Sequence, residues 1–180
     1  GAIATTSCVP GANAEEKFRF IQDGLSRFAG RRLEVDEEVY TSEAETNLRN
    51  RGIAKLLEGY DRMYWDALEA TDIYTRQCSL NVTAKDLAVM GATLAGGGVN
   101  PLTKERVVDA SVCHWLFEVG LPGKSGVSGG IVTIAPGKGA VGVFAPRLDE
   151  SGNSIKGQLI SKLLSERLGL NLFASQPFSA

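Results

Sequence analysis

Several features that mark specialised protein classes are scarce or missing in this sequence. No apolar run approaches the length of a membrane span, and the 180 residues include only three cysteines and one histidine. There is no excess of basic charge, because 19 lysines and arginines face 21 acidic residues. These absences argue against a transmembrane helix, a disulfide framework, a zinc knuckle, and an electrostatically driven nucleic-acid or membrane binder.

The cysteines indicate a reducing compartment. Cys8, Cys78 and Cys113 are odd in number and far apart in the chain, which is typical of free thiols in the cytosol. We therefore expect a cytoplasmic protein without a metal site. Each cysteine is predicted to be a small buried apolar residue and not a nucleophile.

The order of predicted elements indicates the fold class. Apolar spacing predicts a helix from about Ala14 to Gly30, and the capping-box pattern Ser42-Glu-Ala-Glu45 predicts a second helix through about Leu57. Further helices are predicted over residues 66–78, 83–95 and 103–114, a hairpin over 131–144 and a last, covering helix over 153–169. Helices, then two or three antiparallel strands, then a helix give an α+β fold with helices packed on a small antiparallel sheet.

One junction breaks the local pattern. The predicted helix that ends at His114 passes directly into a predicted strand, Trp115–Val119, with no turn residue between them. Compact domains normally need several connecting residues at such a point. The sequence therefore predicts a deletion between His114 and Trp115.

A glycine-rich stretch, Val119–Ile131, is the first candidate for a functional site. Its Lys124-Ser125-Gly126 resembles the lysine–hydroxyl–glycine strand of the penicillin-recognising serine enzymes. Glycine after the hydroxyl residue lets the backbone approach a ligand, and a following N–H can meet a developing oxyanion. An ordinary turn explains the same three residues, so both readings stay open.

Polar residues on predicted helices form a second candidate. Glu43 and Asn50 are seven residues apart on one predicted helix and share a face, so they could hold an ammonium group. A solvated polar stripe beside a helix N-terminus explains them equally well. Tyr74 has two readings of the same kind, a ligand contact or a buried tyrosine with a satisfied hydroxyl.

Taken together, four stretches resemble the serine-dependent glutaminases, and the similarity extends to about Phe173. They are Gly1-Ala-Ile-Ala-Thr-Thr-Ser7, Val39–Glu43 leading into Arg49-Asn-Arg51, Tyr74-Thr-Arg-Gln-Cys-Ser79 and Val119–Val127. The resemblance implies a β-lactamase/transpeptidase-like fold. It also implies hydrolysis of L-glutamine to L-glutamate and ammonia through a serine acyl-enzyme, without cofactor or metal. A homo-oligomer is plausible on the same ground, with no nucleic-acid or membrane partner.

The resemblance also implies roles for individual residues. Glu43, Asn50 and Tyr74 match positions that bind the amino-acid head of glutamine, and the backbone N–H of Val127 matches a donor to the γ-carbonyl oxygen. Lys124, Ser125 and Gly126 are expected to line the site.

Two departures limit what this chain carries. The Ser-x-x-Lys pair of the family would precede Gly1, and its catalytic tyrosine would fall between His114 and Trp115. We therefore expect residues 1–175 to be the C-terminal part of a glutaminase domain, with residues 176–180 as a tail. No catalytic residue is then expected in this chain, which alone would be inactive. The alternative is a non-catalytic glutaminase-like module that binds an amino acid or a partner. A β-lactamase-type enzyme is a third possibility, which Glu43, Asn50 and Tyr74 argue against.

Overall fold

The computed structural model describes residues 1–113, 123–126 and 128–170. The predicted strand at 115–119, the junction at His114–Trp115 and the position of Val127 lie outside these residues. The chain forms two compact units, one of residues 1–26 and 32–81, the other of residues 27–31 with the described residues from 82 onward.

The first unit is built from helices. Its helices are α1 (Ala2–Ser7), α2 (Ala14–Ala29), α3 (Glu37–Thr46), α4 (Leu48–Gly59) and α5 (Ala67–Cys78). The last residues of α2 belong to the second unit. A core cluster joins α1, α4 and α5 through Ile3, Ala54, Ala67 and Ala70. Three of these four residues are alanines, whose small side chains let the helix backbones approach each other closely.

The predicted helix that starts at Ser42 is wrong. Asp36 is the N-cap instead, and its side chain accepts a hydrogen bond from the Val39 N–H at 3.1 Å. Glu37 and Glu38 in the first turn complement the helix dipole. This stronger start signal begins α3 six residues earlier, and the helix ends before Asn47. Glu43 and Asn50 therefore lie on consecutive helices, and not on one face of a single helix.

The helices predicted near residues 14–30, 66–78 and 83–95 are confirmed apart from small shifts at their ends. Helix α2 ends at Gly30, whose φ of +72° suits glycine. Helix α5 is capped by Asp66, and α6 (Ala84–Ala95) opens with a capping box of Thr83 and Asp86. The predicted helix at 103–114 is wrong over its first part. Asn100 there accepts hydrogen bonds from the N–H groups of residues 102 and 103 and holds a turn, and helical backbone appears only at 110–113.

The second unit contains the sheet. The described strands are β1 (Gly123–Ser125), β2 (Gly130–Ala135) and β3 (Gly139–Phe144), antiparallel in the order β1-β2-β3. The predicted hairpin is confirmed, with Ala135 paired to Gly139 around the turn. Helices beside a three-stranded antiparallel sheet confirm the α+β class.

Two glycines let α6 lie close to the sheet. A Cβ on Gly91 would meet the side chains of Ala140 and Val132 at 2.6 and 2.9 Å. A Cβ on Gly142 of β3 would meet the Ala84 carbonyl oxygen at 2.2 Å. The backbones of α6 and β3 are therefore nearly in contact at Gly142.

Gly142→Ala is expected to lower the free energy of unfolding by about 2 kcal/mol, because backbone must move to admit the methyl group. Gly52→Ala is the matched control, since nothing lies within 4 Å of its Cβ in the interior of α4. It should raise stability by about 0.5–1 kcal/mol. Denaturant unfolding measures both changes, and equal midpoints for Gly142→Ala and the wild type would contradict this packing.

The last helix, α7 (Ile155–Arg167), packs differently from the prediction. Its sheet-facing positions are small, with Gly157 close to Ile131 and the N-cap Ser154 fully buried. The residues expected to form its buried apolar face are exposed, with Leu164 alone half-buried. Those exposed residues are Ile155, Leu159, Ile160 and Leu163.

The cysteines are all free, but only Cys113 is buried. Cys8 and Cys78 are exposed, so the prediction that all three are buried is wrong for these two. Among the described residues, no helix combines the length and apolar character needed to cross a membrane.

Candidate functional site

Asn47, at the break between α3 and α4, is anchored to α5. Its Nδ2 donates to Thr75 Oγ1 at 3.0 Å, and the Thr75 hydroxyl donates to the carbonyl oxygen of Thr71 at 2.8 Å. Because Thr75 uses its one proton on Thr71, Asn47 must present its NH₂ group to Thr75. The orientation of the Asn47 amide is therefore fixed.

The same amide leaves an acceptor unused. Asn47 is 8% exposed, and among the described residues its buried Oδ1 has no hydrogen-bond partner. A buried acceptor without a donor costs about 1–3 kcal/mol. Glu43 lies four residues earlier, one helical turn away. Glu43 is exposed, so its carboxylate is open to an ammonium group, whereas the Asn47 Oδ1 is buried and not in contact with solvent.

Glu43 and Tyr74 act on a common neighbour, Cys78. A hydrogen bond with Cys78, and then burial, raise the pKa of Tyr74 to about 12. Desolvation raises the pKa of the Cys78 thiol, the Tyr74 hydrogen bond lowers it, and the negative charge of Glu43 raises it further. Tyr74 therefore stays a neutral hydroxyl at any ordinary pH, close to an acidic side chain. Sequence reasoning missed Cys78, although its spacing of four from Tyr74 on a helix was readable.

Asn50 lies in the first turn of α4 and is half-buried. It follows Asn47 by three residues, so the helix break and not a shared helix face sets its position relative to Glu43.

Helix α5 is held in place by two further contacts within the first unit. The Tyr40 hydroxyl donates to Asp72 Oδ1 at 2.7 Å, which raises the pKa of Tyr40 because the bond favours the protonated phenol. Arg76 pairs with Glu15 Oε2 at 2.9 Å and stacks 3.9 Å from the Phe18 ring. Tyr74 is thus presented by a well-anchored helix.

In the second unit, the Lys-Ser-Gly stretch forms the end of β1 and the residue after it. Lys124 pairs with Val132 and Ser125 with Ile131 across the antiparallel ladder. Lys124 is exposed, and its Nζ donates to the carbonyl oxygen of Ser125. Ser125 is half-buried, and its hydroxyl donates to Asn153 Oδ1. The prediction that this stretch contains a strand is confirmed over Gly123–Ser125.

A tight turn follows the strand. The Gly126 N–H donates to the Gly130 carbonyl oxygen and the Gly129 N–H to the Gly126 carbonyl oxygen, each at 2.9 Å. Gly129 has φ +95°, and a Cβ there would lie 2.7 Å from the Ala145 carbonyl oxygen. Glycine is therefore required at 129 to fold the chain back into β2.

No group of three or more histidine, cysteine, aspartate or glutamate side chains that could hold a metal ion occurs in the part of the chain that the structure describes.

The chain is similar to proteins of known family and structure. A family model described as Glutaminase matches residues 1–114 and 111–173. The probable glutaminase ybaS, a solved structure, superimposes with a TM-score of 0.90 at 42% identity, covering 97% of this chain and 62% of that one. The Bacillus subtilis glutaminase YbgJ, solved as a covalent complex with 5-oxo-L-norleucine formed from 6-diazo-5-oxo-L-norleucine, gives 0.87 at 31% identity, covering 96% and 67%.

These likenesses define the class as enzymes of β-lactamase-like fold. Glutaminase 2 of Yersinia pestis is 60% identical over 196 aligned residues, which include 99% of this chain. The chain belongs to the glutaminase family. It spans 58% of the length of the Yersinia relative.

Proposed function

We propose that the protein hydrolyses L-glutamine to L-glutamate and ammonia through a serine acyl-enzyme. The observation that carries the proposal is the 60% identity to Glutaminase 2 of Yersinia pestis over 99% of this chain. The exposed Glu43 carboxylate suits an ammonium group, and Tyr74 adds a neutral hydroxyl. In this proposal Glu43, Asn50 and Tyr74 bind the amino-acid head.

The covalent complex of the Bacillus relative supports the reaction type. Its reagent carries a diazoketone where glutamine has a carboxamide, and the product is covalently bound to that protein. Such a reagent reacts with a nucleophile that lies next to the side-chain carbonyl, and an acyl-enzyme mechanism requires a nucleophile at that place. A non-catalytic module is not favoured, since the 60% identity covers nearly the whole chain.

We place the serine nucleophile, its lysine base and the catalytic tyrosine outside these 180 residues. Two findings support this assignment: the chain spans 58% of the Yersinia relative, and the family model matches in two segments that overlap at residues 111–114. Residues 1–175 are then the C-terminal part of the glutaminase domain, and residues 176–180 its tail. Lys124, Ser125 and Gly126 line the site, and no cofactor is needed.

The proposal includes self-association and a cytoplasmic location. Leu48 and Leu56 of α4 and the following Tyr60 are 60–73% exposed, and this apolar surface is available to a second copy or to the rest of the domain. Sedimentation equilibrium tests self-association, and a monomer at micromolar concentration would contradict it.

Substitutions at Val127 test the oxyanion role. In the protein that carries this chain within a complete glutaminase domain, Val127→Ala should change kcat/KM for glutamine less than about threefold, because the proposed donor is the backbone N–H. Val127→Pro removes that N–H and should lower kcat about 10²- to 10³-fold. A coupled assay of ammonia release measures both. Similar losses for the two variants would rule out the backbone donor.

A further inference from the structure

The Ser125 side chain is part of a polar chain that sequence reasoning did not detect. Its hydroxyl donates to Oδ1 of Asn153, which lies in the loop before α7. Asn153 is half-buried, and its neighbour Ser154 is the fully buried N-cap of α7. The contact therefore ties the end of β1 to a loop with one well-anchored end.

Asp149 organises that loop. Its Oδ1 accepts the N–H of Asn153 at 2.9 Å and that of Ser151 at 3.0 Å, and its Oδ2 accepts from Gln158 Nε2 at 2.9 Å. These hydrogen bonds lower the pKa of the Asp149 carboxyl, with the Asn153 N–H as the largest cause. Asp149 is therefore an ionised carboxylate that can only accept hydrogen bonds.

The Asn153 amide presents its oxygen to Ser125, because Oδ1 is the atom in hydrogen-bond contact with the Ser125 hydroxyl. An amide oxygen can only accept, so Ser125 donates its single hydroxyl proton to this contact. The backbone N–H of Asn153 is held by Asp149 Oδ1 at 2.9 Å, which fixes the residue that carries the amide.

A serine hydroxyl that already donates its one proton can only accept further hydrogen bonds. The remaining lone pairs of Ser125 Oγ favour a partner with an N–H or O–H and disfavour one that presents lone pairs alone. A primary carboxamide offers two N–H donors, whereas a carboxylate offers none. In the proposed reaction this is the difference between the side chains of glutamine and glutamate.

We propose that Ser125, oriented by Asn153 and Asp149, is a specificity-determining acceptor that favours the carboxamide of glutamine over the carboxylate of glutamate. Asn153 and Asp149 are positioning residues that act through the Ser125 hydroxyl. The inference rests on the proposed function, which brings the side-chain carbonyl of glutamine to Val127, two residues from Ser125.

Asn153→Ala tests whether Asn153 orients the Ser125 hydroxyl, because the variant frees the Ser125 proton to donate to a carboxylate. The inhibition constant of glutamate should fall while the KM for glutamine changes little, because the freed hydroxyl keeps its lone pairs; their ratio should change by about tenfold in favour of glutamate, the size of one hydrogen bond. Ser151→Ala is the matched control in the same loop, with an exposed side chain, and should leave the ratio unchanged. A merely structural effect would weaken both ligands alike, and that parallel change, or no change, would overturn the proposal.

Ser125→Ala decides the case if Asn153→Ala does not fold. It removes the acceptor itself and should abolish the preference between the two ligands, whereas an unchanged ratio would refute the role of Ser125. Calorimetric dissociation constants for glutamine and glutamate give the same ratio without turnover. A wild type that binds both ligands but releases no ammonia would therefore refute the proposed function and still test this inference.

Discussion

Replacement of Glu43 by glutamine is expected to raise the KM for L-glutamine about 10- to 100-fold, with kcat changed little. A hydrogen bond to a charged group contributes about 1.5–3 kcal/mol, and the variant loses the charge that meets the ammonium group. That group does not react, so its contact is present equally in the ground and transition states. Steady-state kinetics of ammonia release, in the protein that carries this chain within a complete domain, measure the effect.

Glu45→Gln is the matched control for this prediction. Glu45 is also exposed and lies two residues further along α3, on a different face of the helix. Its KM should stay near the wild-type value. An unchanged KM for Glu43→Gln, or an equal rise in both variants, would remove Glu43 from the substrate contact.

Asp86→Ala is expected to cause the largest loss of stability, about 3 kcal/mol. The Asp86 side chain is 7% exposed and forms a two-pronged ion pair with Arg31, at 2.9 Å to Nε and 2.7 Å to Nη2. It also accepts hydrogen bonds from the N–H and hydroxyl of Thr83, which completes the cap of α6. Alanine removes charge-assisted bonds and a helix cap together.

Asp23→Ala provides the comparison, because the ion pair of Asp23 with Arg32 is about half exposed. Such surface pairs contribute about 0–1 kcal/mol. Denaturant unfolding should separate the two variants clearly. Equal losses would mean that burial does not strengthen the contacts of Asp86.

The Asp86 contribution should depend on pH in a defined direction. The Arg31 hydrogen bonds, assisted by those of Thr83, hold the pKa of the Asp86 carboxyl well below its usual range. A depressed pKa in the folded state gives stability that is present above the unfolded value of about 3.9 and is lost as the pH falls below it. The gap between wild type and Asp86→Ala should therefore shrink between pH 7 and pH 3, and a constant gap would contradict this cause.

Local signals predicted most helices and the hairpin correctly. The Thr83–Asp86 capping box and the turn at residues 136–139 depend on neighbouring residues alone, and both are in the structure. The start of α3 went wrong because two capping signals compete there. Ser42 satisfies the pattern, but Asp36 followed by two glutamates begins the helix first.

Contacts between distant residues set the rest. The exposed apolar face of α7 was not predictable, because the hydrophobic pattern does not reveal that Gly157 and Ser154 would face the sheet. The unsatisfied oxygen of Asn47 depends on Thr75, 28 residues away, and the orientation of Ser125 depends on Asn153 at the same separation. Residue types identified both candidates, but the packing of separate helices and loops within each unit gives each acceptor its direction.

The release of ammonia from L-glutamine tests the central claim most directly. We expect the protein that carries this chain within a complete glutaminase domain to release ammonia and L-glutamate in equal amounts, with the KM raised in Glu43→Gln and unchanged in Glu45→Gln. A folded protein that contains the whole domain and releases no ammonia from glutamine would contradict the account.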